Sequence, residues 1–100
     1  MIKHIVMFKI KHAENDKDRQ EKALRMKEIF ESLKNKIDVI QFYEVGINEG
    51  KSAFAYDVVI NSEFNTWEDL EKYVIHPEHQ DAIRKNKMIE KEKAVIDYEI

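Results

Sequence analysis

The sequence contains no cysteine, only two glycines and one proline, and no long apolar run. Without cysteine the chain cannot form a disulfide, a thiolate nucleophile or a cysteine-ligated metal site. The scarcity of glycine and proline predicts short connections between regular elements. No apolar run approaches the roughly 18 residues of a membrane span, and the first residues lack the apolar segment of a secretory leader. We therefore expect no membrane partner and a cytoplasmic location.

Charged residues make up 37% of the 100 residues, yet the two signs nearly balance, with 17 Lys+Arg against 20 Asp+Glu and a net charge of -3. No stretch gathers the basic residues that a phosphate backbone requires, so nucleic acid is not an expected partner. Phosphate-binding glycine motifs and the serine-hydrolase elbow are both missing, so we expect no cofactor. Apolar residues, at 43%, suffice for one core. The chain therefore fits one domain over residues 1–100.

Alternation of apolar and polar residues predicts four strands. Period-2 patterns run over residues 2–11, 39–47, 53–61 and 94–100, and such a period is typical of strands with one buried side. The turn residues between the second and third strands predict a hairpin.

Apolar residues at steps of three and four predict the helices. The first helix covers residues 16–37, with charged residues on its outer side. The second begins at a capping box in which Asn65 is the N-cap and Glu68 follows three residues later. Pro77 interrupts this helix, because proline cannot continue the hydrogen-bond ladder, and a further helix is predicted over residues 77–92. The residues of the second helix predicted to be buried are Trp67, Leu70 and Val74.

This β-α-β-β-α-β order predicts an α+β, ferredoxin-like fold, in which helices cover one face of a four-stranded antiparallel sheet. The strand sides that the helices cannot reach carry apolar residues. These are Ile5, Met7, Ile40, Phe42, Val59 and Val95. An exposed apolar face indicates an interaction surface, and the natural cover is the same face of a second copy. We therefore predict a homodimer whose two sheets pack face to face.

Polar and aromatic side chains concentrate between Tyr73 and His79, where Pro77 breaks the helix. His79 is a candidate general base, because neutral imidazole suits proton abstraction near pH 7 and a helix N-terminus disfavours its protonation. Tyr73 is a candidate donor to a developing enolate oxygen. The alternative is structural: His76 caps the next helix, His79 lies on a surface turn and Tyr73 belongs to the core.

Two further histidine features are less specific. His76 and His79 have a spacing that could place two nitrogens on a metal, with Glu78 or His4 completing the ligands, but neither cysteine nor a second histidine pair supports such a site. We therefore expect no metal. His4 lies among the aliphatic residues of the first strand, which fits either a core histidine or the floor of a pocket.

Three segments resemble a known family. They are His-Ile-Val-Met-Phe-Lys at residues 4–9, Tyr-Val-Ile-His-Pro-Glu-His at residues 73–79 and Asp-Tyr at residues 97–98. Together they resemble the stress-responsive A/B barrel domain family, known as Dabb, and the similarity in length and element order extends over essentially the whole chain. The resemblance implies a dimeric α+β barrel built from ferredoxin-like protomers.

Relatives in this family include plant polyketide cyclases of the olivetolic acid cyclase type, which perform an aldol condensation without a cofactor. The resemblance implies that His79 is the catalytic base, that Tyr73 is its partner and that His4 lines the substrate pocket. Where the cyclases place another pocket histidine on the third strand, this chain has Tyr56. We expect Tyr56, and His76 of the shared motif, to contact the substrate as well.

Two functions of different classes remain open. The first is a small-molecule-binding protein or cofactor-free enzyme of the cyclase or lyase type, and the second is a non-catalytic, stress-associated homodimer. Cavity volume distinguishes them, because a ligand site needs roughly 300 Å³ or more of concave space. The bulky side chains that could fill such a space are Phe30, Phe54, Tyr56 and Trp67.

Overall fold

A computed structural model describes residues 1–100 and shows four strands in one antiparallel sheet. The strands are β1 (Ile2–Ile10), β2 (Ile40–Ile47), β3 (Val58–Phe64) and β4 (Lys91–Glu99), in the order β2-β3-β1-β4. The helices are α1 (Asp16–Glu31), α2 (Trp67–Ile75) and α3 (Pro77–Lys85), and a short 3₁₀ helix (Ser32–Asn35) continues α1. The predicted α+β, ferredoxin-like fold is therefore confirmed, with the second helical region divided at Pro77.

The core lies between the helices and one face of the sheet. Alternate residues of β1 and β3 point into it, as the period-2 pattern requires. From α1, Phe30 stacks on Phe8 of β1, with ring centroids 5.6 Å apart and planes 12° from parallel. Burial of each such side chain contributes about 1.5–3 kcal/mol of hydrophobic free energy. The core therefore fixes which side of β1 faces the helices.

The third strand begins five residues later than predicted, at Val58 instead of residue 53. Asp57 explains the shift, because its carboxylate accepts hydrogen bonds from the backbone N–H of Ile10 at 2.6 Å and from Arg19 at 3.0 Å. These bonds attach the end of the connecting segment to β1 and α1. The residues before Asp57 therefore form a loop, in which Phe54 is 90% exposed and which also contains Tyr56.

The N-cap of α2 is Thr66 and not Asn65 as predicted. The Thr66 hydroxyl oxygen accepts the backbone N–H of Asp69 at 3.1 Å, so Asp69 and not Glu68 is the acidic residue three positions on. Asparagine and threonine both make good N-caps, so composition does not separate them. The helix buries Leu70 and Tyr73. The expected burial of Trp67 and Val74 is wrong, because these residues are 50% and 40% exposed.

The last helix is shorter than predicted and the last strand longer. Asn86 forms the C-cap of α3, so the helix ends at Lys85 and not near residue 92. β4 begins at Lys91, opposite Ile10 of β1, three residues before the predicted start. β4 is an edge strand, where charged residues are accepted because one side faces solvent. The lysine and glutamate residues at its start therefore belong to a strand and not to the predicted helix.

The sheet face away from the helices carries an apolar surface, as predicted, but its membership differs. It comprises Ile5, Met7, Phe42, Val59, Ala94, Ile96 and Tyr98. Ile40 instead packs against the core, because an irregularity between Ile40 and Phe42 shifts the register of β2. Val95 pairs with the core residue Val6 and thus faces the helices, and Ile96 takes its place on the open face. None of the helices has the length and apolarity needed to cross a bilayer.

Candidate functional site

One row of polar side chains crosses the helix-facing side of the sheet. Strand pairing aligns Tyr43 of β2 with Ser62 of β3, Ser62 with His4 of β1, and His4 with Asp97 of β4. Directly opposed residues of this kind have Cβ atoms about 4.5–5.5 Å apart. The next row along the sheet is entirely valine and isoleucine. The polar row therefore lies directly beside an apolar row on the same face.

Hydrogen bonds fix the histidine of this row. His4 is 7% exposed, and its Nδ1–H donates to the Asp97 carboxylate. A carboxylate can only accept, so in neutral His4 the free lone pair is on Nε2. Ser62 donates its hydroxyl to the backbone oxygen of His4 at 3.0 Å. The ring of His4 therefore has a defined tautomer and a fixed position under α2.

Tyr73 of α2 lies over this polar row and is 1% exposed. Its ring centroid is 6.1 Å from that of His4, and its hydroxyl is 2.9 Å from the hydroxyl of Tyr43. Burial raises the pKa of Tyr73 to about 12, an effect that the hydrogen bond with Tyr43 partly opposes. Burial also raises the pKa of Tyr43. Both phenols are therefore protonated at neutral pH, and Tyr73 can donate a hydrogen bond when Tyr43 donates to it.

The break at Pro77 orients His79. In a continuing helix the carbonyl of Val74 would accept a hydrogen bond from the backbone N–H of Glu78. That N–H instead donates at 3.0 Å to Nδ1 of His76, which caps α3. The freed carbonyl of Val74 instead accepts from His79 Nδ1 at 2.8 Å and from the side-chain amide of Gln80 at 2.7 Å. His79 must therefore be protonated on Nδ1, which leaves the lone pair of the neutral ring on Nε2.

His79 lies against Tyr73, with ring centroids 4.4 Å apart. Partial burial is the main cause that lowers the pKa of His79 below its usual value of 6.5, and electrostatic interactions with Lys93, His4 and His76 add to the effect. The hydrogen bond to Val74 acts in the opposite direction. His79 is therefore neutral at pH 7, which is the state that a general base requires.

These side chains line one pocket between α2, α3 and the β4 side of the sheet. The pocket has a volume of about 830 Å³, and its wall includes His4, Tyr73 and His79. A volume above roughly 300 Å³ is typical of ligand sites. Apolar residues also line the pocket. They are Val6, Phe8, Phe30, Ile60, Val74, Ile83, Ile89 and Val95.

The structure does not bring Tyr56 and His76 to this pocket. Tyr56 lies in the loop before β3, because that strand starts later than the sequence pattern predicts. His76 caps α3 and lines a separate, smaller hollow with Ile37 and Pro77. Its predicted structural role as a helix cap is thus confirmed, and a direct substrate contact for either residue in the main pocket is not supported by their positions.

Sequence reasoning missed Asp97 and Tyr43, although both touch the predicted site residues. In the sequence Asp97 is distinguished only by the closing Asp-Tyr pair, because its contact with His4 depends on the pairing of strands that are far apart in the chain. No group of three or more His, Asp or Glu side chains is arranged to hold a metal ion.

The lowered pKa of His79 predicts a pH dependence. The folded state binds fewer protons than the unfolded state, so this contribution to stability is full above pH 6.5 and is lost as the pH falls toward the folded-state pKa. We expect the ring-proton NMR signal of His79 to titrate below 6.5, and His79→Gln to reduce the loss of unfolding free energy between pH 7.5 and about 5.5. A His79 midpoint at or above 6.5 would contradict the assignment.

Comparison with known proteins identifies a family to which the chain is similar. The family model of the stress responsive A/B barrel domain (Dabb) matches residues 2–100. An uncharacterised protein of Streptomyces coelicolor is 31% identical over 83 residues, which is 83% of this chain and 84% of the relative.

Solved structures share the fold. A dimeric protein of unknown function with a ferredoxin-like fold, from Bacteroides fragilis, superposes with a TM-score of 0.85 at 32% identity, covering 99% of this chain and 95% of that one. A hydroxynitrile lyase from Passiflora edulis superposes with a TM-score of 0.74 at 16% identity, covering 99% and 92%. On the family match across nearly its full length, this chain belongs to the stress responsive A/B barrel domain (Dabb) family.

Proposed function

We propose that this protein binds a small organic molecule in the pocket and catalyses a cofactor-free, proton-transfer reaction of the cyclase or lyase type. The observation that carries the proposal is the convergence of His79, Tyr73 and His4 on one pocket of about 830 Å³. The pocket supplies a neutral base beside a protonated phenol, and apolar side chains form a large part of its wall. Electrostatic interactions are stronger beside such apolar groups than in bulk water.

In the proposed reaction, Nε2 of His79 removes a proton from the carbon next to a substrate carbonyl. The electron pair of the broken C–H bond forms the enolate, and the hydroxyl of Tyr73 donates a hydrogen bond to the enolate oxygen. The enolate carbon then attacks a second carbonyl of the substrate, and the imidazolium of His79 returns the proton to the new alkoxide. A positioned base or an oxyanion donor each typically contributes about 10²–10⁴ in rate.

Two further observations support this function. One neighbour of the same fold is a hydroxynitrile lyase, so the fold accommodates lyase chemistry. The bulky residues that could have filled the pocket are elsewhere, since Phe54, Tyr56 and Trp67 do not line it. Phe30 does line the pocket but leaves it open. This favours ligand binding over the alternative of a purely structural, stress-associated homodimer.

Exchange of α-protons on 4-phenyl-2-butanone in D₂O, followed by proton NMR, tests the proposed chemistry without knowledge of the natural substrate. We expect the protein to accelerate exchange, His79→Gln to abolish the acceleration and Tyr73→Phe to reduce it by about 10²-fold or more. His12→Gln, which changes an exposed histidine outside the pocket wall, is the matched control and should retain full activity. Exchange no faster than in buffer, or undiminished in His79→Gln, would contradict the proposal.

We also propose that the open sheet face forms a homodimer interface. The neighbour from Bacteroides fragilis is described as dimeric, and the open face presents Phe42, Ile96 and Tyr98 at 40%, 57% and 43% exposure in the single chain. Exposed apolar side chains grouped on one face are characteristic of an interaction site, and a two-fold dimer covers them with the same face of a second copy.

Light scattering at micromolar concentration tests the dimer. We expect the unmodified protein to have the mass of two chains and Phe42→Lys to give a monomer or an aggregate, because the charge would be buried against the partner sheet. Leu24→Lys, on an exposed position of α1, is the control and should remain dimeric. A monomeric mass for the unmodified protein would overturn this part of the proposal.

A further inference from the structure

The pocket has the opposite charge to the chain as a whole. The full sequence has a net charge of -3, yet the pocket wall includes five basic residues against two carboxylates. The basic residues are Lys11, Arg84, Lys87, Lys91 and Lys93, and the carboxylates are Glu90 and Asp97. Positive charge is thus concentrated at the pocket that holds His4, Tyr73 and His79.

Protein groups neutralise only part of this charge. Two of the basic residues form ion pairs, Lys11 with Glu92 at 3.5 Å and Arg84 with Asp81 at 3.0 Å. The two carboxylates of the wall contact histidines, Glu90 with His12 at 3.2 Å and Asp97 with His4. Three lysines therefore lack a carboxylate. Lys91 donates to the backbone oxygens of Asn86 at 2.8 Å and Ile89 at 2.9 Å. Lys87 and Lys93 form neither an ion pair nor a side-chain hydrogen bond.

Lys93 lies on the side of β4 that faces the pocket. It pairs across the sheet with Phe8, so its side chain leaves β4 on the helix-facing side, between Lys91 and Val95. Its charge contributes to lowering the pKa of both His79 and Lys91. Lysines close enough to repel each other are destabilising unless an anion lies near them.

The rest of the wall limits the kind of anion. Eight apolar side chains, including Phe8, Phe30 and Val95, form most of the remaining lining. Such a surface favours a hydrocarbon or aromatic body and offers little to a sugar or other polyhydroxylated group. The lysine ammonium groups are compact point charges that suit a single anionic group on that body.

We propose that the substrate or ligand of this pocket is an amphipathic organic acid, with an apolar body on the pocket floor and a carboxylate bound by Lys87 and Lys93. This inference rests on the proposed function, since it assumes that the pocket binds a small molecule. It adds the substrate class and two specificity-determining residues, neither of which takes part in the proton transfer assigned to His79.

A pair of nearly isosteric probes tests the inference. 2-Naphthylacetate and 2-naphthylacetamide have the same apolar body and differ in charge, and NMR titration of backbone amides at Ile83 and Val95 reports binding in the pocket. We expect the carboxylate to bind about 3- to 30-fold more tightly than the amide, as expected for two partly exposed ion pairs. Raising the salt concentration should reduce this preference.

The double variant Lys87→Gln, Lys93→Gln should lose the preference for the carboxylate while keeping its affinity for the amide, which also shows that the pocket is intact. The control is the double variant Lys17→Gln, Lys51→Gln. It removes the same total charge, but from two lysines that form no ion pair and do not line the pocket. This control should retain the preference for the carboxylate. Equal binding of both probes by the unmodified protein would overturn the anion inference and leave the pocket proposal standing. No binding of either probe would overturn both.

Discussion

The site depends on the register of β1, the strand that lies between β3 and β4. Burial of Val6 and Phe8 on the helix side places His4 on that side too, because a one-residue slip would turn all three toward the opposite face. The same register sets Ser62 on one side of His4 and Asp97 on the other. Packing of the hydrophobic core and assembly of the polar row are therefore consequences of the same strand pairing.

The second determinant is the helix break at Pro77. A continuous helix would bond the carbonyl of Val74 to a backbone N–H, but the capping by His76 leaves that carbonyl for the ring of His79. The break thus selects the tautomer of the base as well as its position. Tyr73 lies one helical turn before Pro77. Its ring contacts the rings of His79 and His4 and so connects His79 to the polar row. Two separate segments of the chain in this way form one pocket.

Much of the fold and part of the candidate site could be predicted from local patterns in the sequence. The alternation along β1 identified the face that carries His4, and the motif around Pro77 indicated Tyr73 and His79. The positions of Tyr56 and Asp97 could not be predicted in the same way, because they depend on where β3 begins and on which residues of β1 and β4 pair. Hydrogen bonds between distant segments set those features, such as the bonds of Asp57 with β1 and α1.

Local patterns also gave wrong bounds for the last helix and the last strand. The lysines and glutamates near β4 resemble a solvated helix face, and only the place of β4 at the sheet edge accounts for them as a strand. This matters for function, because Lys93 thereby leaves the strand on the pocket side. The charge of the pocket is thus a property of the fold that a net charge of -3 conceals.

The proposed chemistry requires that the helix break present His79 as a neutral base with its lone pair on Nε2. Nitrogen-15 NMR of the imidazole rings, recorded above neutral pH, measures this directly, and His76 serves as an internal reference because its Nδ1 is an acceptor. We expect a protonated Nδ1 and an unprotonated Nε2 for His79, and the reverse for His76. A His79 ring protonated on Nε2 would leave the pocket without its base and would contradict this assignment.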